Sequence, residues 1–448
     1  MSTTPQAANA APPGDSGSPG SPPRPWRVAI IAGLASFVDG AALSVNGIAL
    51  VIYQQAIGLT PEQVGLLTAV VTVGTAIGAL LGGRLGDVYG RRKVFIVTMA
   101  MIVIGTLGPI FSADFWLLFA GLALVGLGVG ADLPVSLATI AEAATEKNRG
   151  AMLVFTQVLW ITASLVVVIV ASSIGGQGRI AGQILYGLVA VVGVIGLLLR
   201  LTLPESARWL ASRDSRSDSP QTVGVVRSRV SDLLSPPLRR PLLVLTAFYA
   251  LVSIPGGMLA SYITYIAVNV AGVPVEQFVA YTAIAFPVGF LALFFFMKIV
   301  DTRFRRAFVY GCGLLTVIVL IVPVVFGLDI VSLLVVFTLI GGIGAICGEP
   351  ITRVWSNESF PTMLRSTAQG FILTVGRLLL AASLTVGPAL IAFSVTGFFL
   401  TLAVIQLLAV AVAYVGFRGG RIQNTFVVES DPAVGTARLK GEHHAPAV

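Results

Sequence analysis

Residues 62–93 read EQVGLLTAVVTVGTAIGALLGGRLGDVYGRRK. From Glu62 to Gly83 the only charge is the first residue, whereas the ten residues after Gly83 carry Arg84, Asp87, Arg91, Arg92 and Lys93. A helix rises about 1.5 Å per residue, so about 20 apolar residues cross a hydrocarbon layer of about 30 Å. This stretch therefore reads as one membrane crossing that ends in a basic loop. Outward from it the pattern recurs, at 26–53, 94–111, 115–142, 150–173 and 181–203 in the first half of the chain. In the second half it recurs at 241–270, 279–299, 308–326, 330–356, 367–392 and 396–415. With 62–83 these make twelve transmembrane helices, an all-α membrane protein.

Composition excludes the alternatives. Only 11% of the 448 residues are charged and 56% are hydrophobic, with mean hydropathy +0.93; a soluble domain carries about 25% charged residues. A β-barrel would show alternating strands and no continuous apolar runs. Lys and Arg collect on one side: Arg27, Arg91, Arg92, Lys93, Arg149, Arg208, Arg239, Arg305 and Arg418 are among them, and Arg179 is the exception. The positive-inside rule then places both termini in the cytoplasm, and a bacterial cytoplasmic (inner) membrane is the expected location. The net charge of +8 is this same asymmetry, with no basic stripe of a nucleic-acid binder. Residues 1–25 are rich in Pro, Gly and Ser and read as a disordered cytoplasmic tail, not a signal peptide. Residues 418–448 form a second tail, which holds the only histidines, His443 and His444. Cys312 and Cys347 lie at membrane depth, so neither a disulfide nor a metal site is expected. No Walker loop, metal spacing or nucleophile motif suggests an enzyme. No cofactor is expected beyond protons, carried by carboxylates.

The two halves repeat at an offset of about 216 residues: Pro134 falls on Pro350, Glu142 on Glu358 and Arg149 on Arg365. With a slip of two residues, Asp87…Arg91-Arg92 falls on Asp301…Arg305-Arg306. Several matches in one order indicate a duplicated six-helix unit, giving bundles at 26–203 and 241–417 joined by a cytoplasmic linker at 204–240. Proteins built from such repeats hold ligands near the midplane, where Gly/Pro-interrupted helices meet. Asp39-Gly40 and Pro255-Gly256-Gly257 occupy matching places and are expected to mark that site, unless they serve close helix packing.

The loop Gly83-Arg84-Leu85-Gly86-Asp87-Val88-Tyr89-Gly90-Arg91-Arg92 resembles the signature loop of the major facilitator superfamily. Glu142, Arg149-Gly150, Gln157 and the run Pro204-Glu205-Ser206-Ala207-Arg208-Trp209-Leu210 resemble its sugar porter branch, and bacterial inositol-transporter-like members in particular. The resemblance covers roughly residues 26–415. It implies the two-bundle fold, alternating access and a central sugar-sized site, with Gln157 as a substrate contact. The sequence departs from the pattern at Leu122, at 254–259, where paired glutamines are absent, and at Gly348.

Charged residues then receive roles. Asp87 is placed to accept hydrogen bonds from a neighbouring helix start. Arg91 and Arg149 are expected to pair with Glu142 and Glu205, and Arg305, Arg365 and Glu358 to do the same in the second half. With Gly83, Gly90, Arg92, Arg208 and Asp301 these form a gate of wet surface pairs, each contributing about 0–1 kcal/mol. Ionisable groups inside the membrane are costly and point to function. Asp39, about 20 Å up the first helix, is the expected proton-coupling group. Asp132 and Glu349, before the paired prolines, are further candidates, and Arg353 shares a helix face with Glu349. Arg377 needs an anionic partner: Asp39, Asp132, Glu349 or an anionic substrate. For a polyol the candidate contacts are Gln157, Trp160, Asn46, Tyr262 and Tyr265. The expectation is a monomeric, proton-coupled symporter of a small polyol or sugar. Uptake of an organic acid, export of a drug or metabolite, and a non-transporting sensor remain as rivals.

Overall fold

The computed structural model describes residues 25–111, 114–174, 177–214, 230–273, 285–344 and 346–418. Apart from Pro25 and Arg418, both expected tails lie outside these residues. The first half comprises α1 (Pro25–Ile57), α2 (Pro61–Tyr89), α3 (Arg91–Phe111), α4 (Phe115–Ala143), α5 (Arg149–Ile174) and α6 (Arg179–Leu201). A short helix, α7 (Ala207–Asp214), and a 3-10 turn (Val230–Leu234) follow in the linker. The second half comprises α8 (Pro236–Asn269), α9 (Ala285–Ile299), α10 (Arg305–Phe326), α11 (Ile330–Leu339), α12 (Glu349–Ser359), α13 (Arg365–Phe393) and α14 (Val395–Phe417). Among the described residues 11 spans are long and apolar enough to cross a membrane, and the shorter apolar helix α9 stands in the twelfth place. The first six residues predicted for that span, 279–284, lie outside the described residues.

Polar residues stop and start these helices at the expected loops. Thr60 caps α2 in a reciprocal box with Gln63, satisfying N–H groups that a helix start leaves without acceptors. Asp114 accepts from Trp116 and Leu117 at the start of α4, and Asp329 accepts from Ser332 at the start of α11. These two caps stand at matching places in the repeat.

Several helices differ from the sequence reading, among them α2, which runs on to Tyr89. The seventh span begins at Pro236 rather than residue 241, because proline is tolerated in the first turn of a helix, where no intrahelical acceptor exists for its missing N–H. The tenth span is not continuous: α11 passes through a π-helical turn (Ile340–Gly344), and a new helix starts at Glu349. Gly341, Gly342, Gly344 and Gly348 weaken the helix there, and Pro350 cannot donate to the residue four before it. Conversely, the first and seventh spans are not interrupted at Asp39-Gly40 or Pro255-Gly256-Gly257. Gly40 serves close approach instead, since a Cβ there would lie 2.6 Å from the Trp160 carbonyl oxygen of α5.

A buried clasp holds the first half together. The Arg200 guanidinium on α6 donates to Asp132 and Ser136 on α4 and to the Ala32 carbonyl on α1, while Thr98 on α3 donates to Asp132 at 2.8 Å. The arginine also lies over the Phe95 ring, 4.5 Å from its centroid. Asp132 is thus paired inside one bundle with a buried arginine, and its Oδ2 has no hydrogen-bond partner among the described residues. The side-chain oxygen of Asn46 accepts from Tyr186 at 3.1 Å within the first bundle.

The halves meet most closely where α2 crosses α13. A Cβ on Gly83 would fall 2.2 Å from the Ser366 carbonyl oxygen, and one on Gly370 would fall 2.1 Å from that of Ala79. Only glycine permits this approach, which occurs at the end of the molecule that carries the basic loops, termed the basic face below.

Two outcomes follow from this packing. Asp132→Ala leaves Arg200 buried without its counter-ion, and thermal unfolding in detergent should report a loss of about 3–5 kcal/mol. Gly83→Leu should hold the basic face apart while leaving each bundle folded; a spin-label pair at the exposed positions Val88 and Phe304 should then report a longer distance than in the unaltered chain.

Candidate functional site

The first N–H groups of a helix have no intrahelical acceptor and carry the positive end of its dipole. At the basic face two helix starts find their acceptors in the opposite half. The start of α13 donates to Asp87 of α2, from the Thr367 N–H at 2.7 Å, its hydroxyl at 2.6 Å and the Ser366 N–H at 3.4 Å. The start of α5 donates to Asp301, from the Gly150 N–H at 2.7 Å and the Ala151 N–H at 2.8 Å. Burial pushes the Asp301 carboxyl above its ordinary value, and these two N–H groups pull it back down. The crossed caps obey the sequence repeat, since Gly150-Ala151 falls on Ser366-Thr367.

Around each cap the arginines are ordered by the same symmetry. Arg91 donates to Asp87 at 2.6 Å, to Glu142 at 2.8 Å and across the interface to the Thr362 carbonyl at 2.9 Å. Arg365 reaches Glu142 from the other half at 3.3 Å. Glu142 therefore sits between one arginine of each bundle. Arg305 grips Glu358 with two hydrogen bonds, of 2.9 and 2.7 Å. Arg149 and Arg365 each turn back to a carbonyl eight residues earlier, Ala141 at 3.3 Å and Asn357 at 2.9 Å.

Two expectations for the gate need correction. The pairs are not all wet: the side chains of Arg91, Asp87, Glu142 and Arg365 are at most 2% exposed. Glu205 does not pair with an arginine side chain either. It caps the start of α3, accepting from the Arg91 N–H at 2.8 Å and the Arg92 N–H at 3.2 Å. Gly90 makes room for it with φ +99°, and a Cβ there would lie 2.4 Å from the carboxylate. Ser206 donates to Glu142, and the Trp209 indole donates to the Asp87 carbonyl at 2.9 Å. Arg92 donates to the Leu201 carbonyl at 3.1 Å, and Arg208 lies half-buried on α7. The linker helix is thus part of the latch.

Deeper in the membrane a second charged cluster joins the halves. Asp39 of α1 accepts from the Trp160 indole of α5 at 3.0 Å and from Arg377 of α13 at 3.4 Å. Of the partners open to Arg377 in the sequence, the structure brings it to Asp39. Tyr249 of α8 lies beside Arg377, and its ring fits because residue 376 is glycine, whose Cβ would otherwise lie 2.2 Å from it. On α12, Glu349 accepts from Arg353 at 2.7 Å. The break before Glu349 places this acid in the first turn of a new helix, where the dipole favours it. Exposure grades across the cluster, from 3% for the Asp39 side chain to 14% for Arg377 and 28% for Glu349. Gln157 Oε1 and Arg377 Nη1 are buried with no hydrogen-bond partner among the described residues, and buried polar atoms of that kind call for a ligand or water.

Tyr262 donates its hydroxyl to the Leu384 carbonyl at 2.5 Å within the second half. The Tyr265 side chain lies outside the described residues. Sequence reasoning missed Arg200, Tyr249, Ser36 and Thr156 as polar partners. A basic residue one position before the end of an apolar span was the available signal for Arg200; nothing marked the other three.

Over residues 32–300, more than half its length, the chain matches the Major Facilitator Superfamily. It is 27% identical over 354 residues to the minor myo-inositol transporter IolF of Bacillus subtilis, covering 78% of this chain and 80% of that one. It is 24% identical over 387 residues to the inner membrane metabolite transport protein YgcS of Escherichia coli, covering 82% and 85%. Its fold is similar to that of the proton:xylose symporter XylE bound to 6-bromo-6-deoxy-D-glucose, with a TM-score of 0.71 at 18% identity over 87% of this chain and 95% of that one. The repeated bundles, the crossed caps and the sequence match agree: the chain belongs to the major facilitator superfamily.

Proposed function

We propose that this chain is a proton-coupled symporter of a small neutral polyol or sugar, with an inositol-like molecule as its substrate. It would work as a monomer by alternating access, in a bacterial cytoplasmic membrane with both termini in the cytoplasm. The observation that carries this reading is the Asp39–Arg377 ion pair, which joins the two halves; Arg377 Nη1 and, three residues before Trp160 on α5, Gln157 Oε1 are buried without partners.

The coupling follows from the cost of separating charges. Rocking the halves apart with Asp39 ionised would leave two opposite charges unpaired in a low-dielectric site, a change that costs several kcal/mol. A proton on Asp39 removes one of them and releases Arg377. The substrate then meets one vacant acceptor, Gln157 Oε1, one vacant donor, Arg377 Nη1, and the accessible Glu349 carboxylate. A polyhydroxylated molecule supplies both donors and acceptors to such a set. The inositol transporter among the relatives supports the substrate class, and the proton symporter among the structural neighbours supports only the fold. A second reading rests on the same arginine: once Asp39 is protonated, Arg377 is a cation ready for a carboxylate, so a proton-coupled organic acid transporter would use this site as well.

Uptake into proteoliposomes separates these readings. An inward gradient of one pH unit, coupled to one proton, sustains about tenfold accumulation of labelled myo-inositol. Asp39→Asn should abolish that accumulation and preserve exchange of labelled for unlabelled substrate. Accumulation of benzoate-like acids alone, lost in Arg377→Ala, would replace the polyol reading with the acid one.

A further inference from the structure

The cluster around Asp39 is one layer of a two-layer structure. Ser36 precedes Asp39 by three residues on α1, and Thr156 precedes Trp160 by four on α5. Each therefore lies on the same helix face, about one turn or 5.4 Å closer to the basic face. Both hydroxyls are buried, with Ser36 1% and Thr156 0% exposed, and both face Arg353 of the opposite half. The guanidinium of Arg353 divides its donors. Nε and Nη2 hold Glu349 of its own helix at 3.2 and 2.7 Å. Nη1 crosses the interface and donates to Ser36 at 3.1 Å and to Thr156. The Thr156 hydroxyl gives its own proton to the Leu153 carbonyl at 2.6 Å, so its lone pair is already aimed at the arginine.

We infer that Arg353 is the floor of the central site: a positioning residue that bridges the halves directly beneath Asp39 and Trp160 and must release Ser36 and Thr156 before the site can open to the basic face. It differs in kind from the Arg377 contact above it. When Arg377 leaves Asp39, a charge is stranded on each half. When Arg353 leaves Ser36 and Thr156, its own carboxylate travels with it on α12 and only neutral hydroxyls remain behind. The floor therefore opens without a proton and sets how firmly the structure rests in the state closed toward the basic face. A planar fork with donors on three nitrogens is needed to hold both sides at once, which a lysine does not provide.

The test is the accessibility of the basic face. Ser366 is fully buried beneath the Asp87 cap, so Ser366→Cys reports opening through its rate of reaction with a bulky polar maleimide. The full chain is held in lipid nanodiscs, where both faces meet the reagent, and the chain without the reporter gives the background from the buried Cys312 and Cys347. Arg353→Gln should raise the labelling rate about tenfold, a usual size for a lost conformational coupling. The pair Ser36→Ala with Thr156→Val should do the same with the arginine intact, and decides alone should Arg353→Gln not fold. Arg200→Gln together with Asp132→Asn removes an equally buried ion pair that stays within one bundle without stranding a charge, and should leave the rate at that of the reporter chain. An unchanged rate in the Ser36/Thr156 variant, or an equal rise in the Arg200/Asp132 variant, would overturn the assignment. No substrate enters the measurement, so its result is independent of which solute is carried.

Discussion

Every helix begins with N–H groups that have no intrahelical acceptor, and at the basic face two such starts find one in the other half. The starts of α5 and α13 face the opposite half, and in each case the missing acceptor is an aspartate that belongs to that half. The caps are reciprocal because the unit is duplicated: the loop after the second helix of each bundle serves the fifth helix of the other. A charged acceptor on N–H groups at a helix start combines a hydrogen bond with the dipole, so neither half is electrostatically complete at this end without its partner. The close crossing at Gly83 and Gly370, the insertion of Arg91 and Arg365 around Glu142, and the Trp209 contact from α7 all rest on those two contacts.

This completeness sets the terms of opening. A wet gate made of exposed pairs would open at little cost, since water replaces each partner. The latch at the basic face is largely dry, and a buried charge whose partner is removed costs several kcal/mol unless it is paired again or hydrated. Opening is thus a concerted exchange: the caps and the arginines around Glu142 must gain water together as the halves separate. The desolvated Asp301 carboxyl, held up by burial and down by two N–H groups, shows the balance at one point. A network poised in this way has two acceptable arrangements and few in between, which is what a two-state transporter requires.

Much of this was legible in the sequence because it depended on composition and period. The twelve spans follow from the scarcity of charge, and the crossed caps follow from Asp87 and Asp301 standing at repeat-related loops. The approach of Asp39, Trp160 and Arg377 was open to inference because an unmatched charge in an apolar helix must find a counter-charge. The contacts that were not legible have a common cause. Asp132 and Asn46 looked free because their partners, Arg200 and Tyr186, lie on α6, and one sequence gives the depth of a residue far better than the direction in which it points. Gly40 was open to two readings, an interruption or a close approach, and only the position of Trp160 shows that close approach is the one employed. The break in the tenth span depended on four glycines and a proline acting together, a pattern the apolar run concealed.

The depth of each inter-half contact gives the cycle its order. From the basic face inward lie the caps, then the Arg353 floor, then the Asp39–Arg377 pair. Arg377 retains a free donor and Glu349 is the most exposed member of the cluster, so under the proposed function a substrate entering from the opposite face would meet the Asp39–Arg377 pair first. It reaches the neutral hydroxyls of the floor only after that pair has been altered. On the proposed function the contacts then part in turn: proton and substrate act on the Asp39–Arg377 pair, the floor separates with Arg353 keeping its own carboxylate, and the caps and the Glu142 arginines exchange their partners for water.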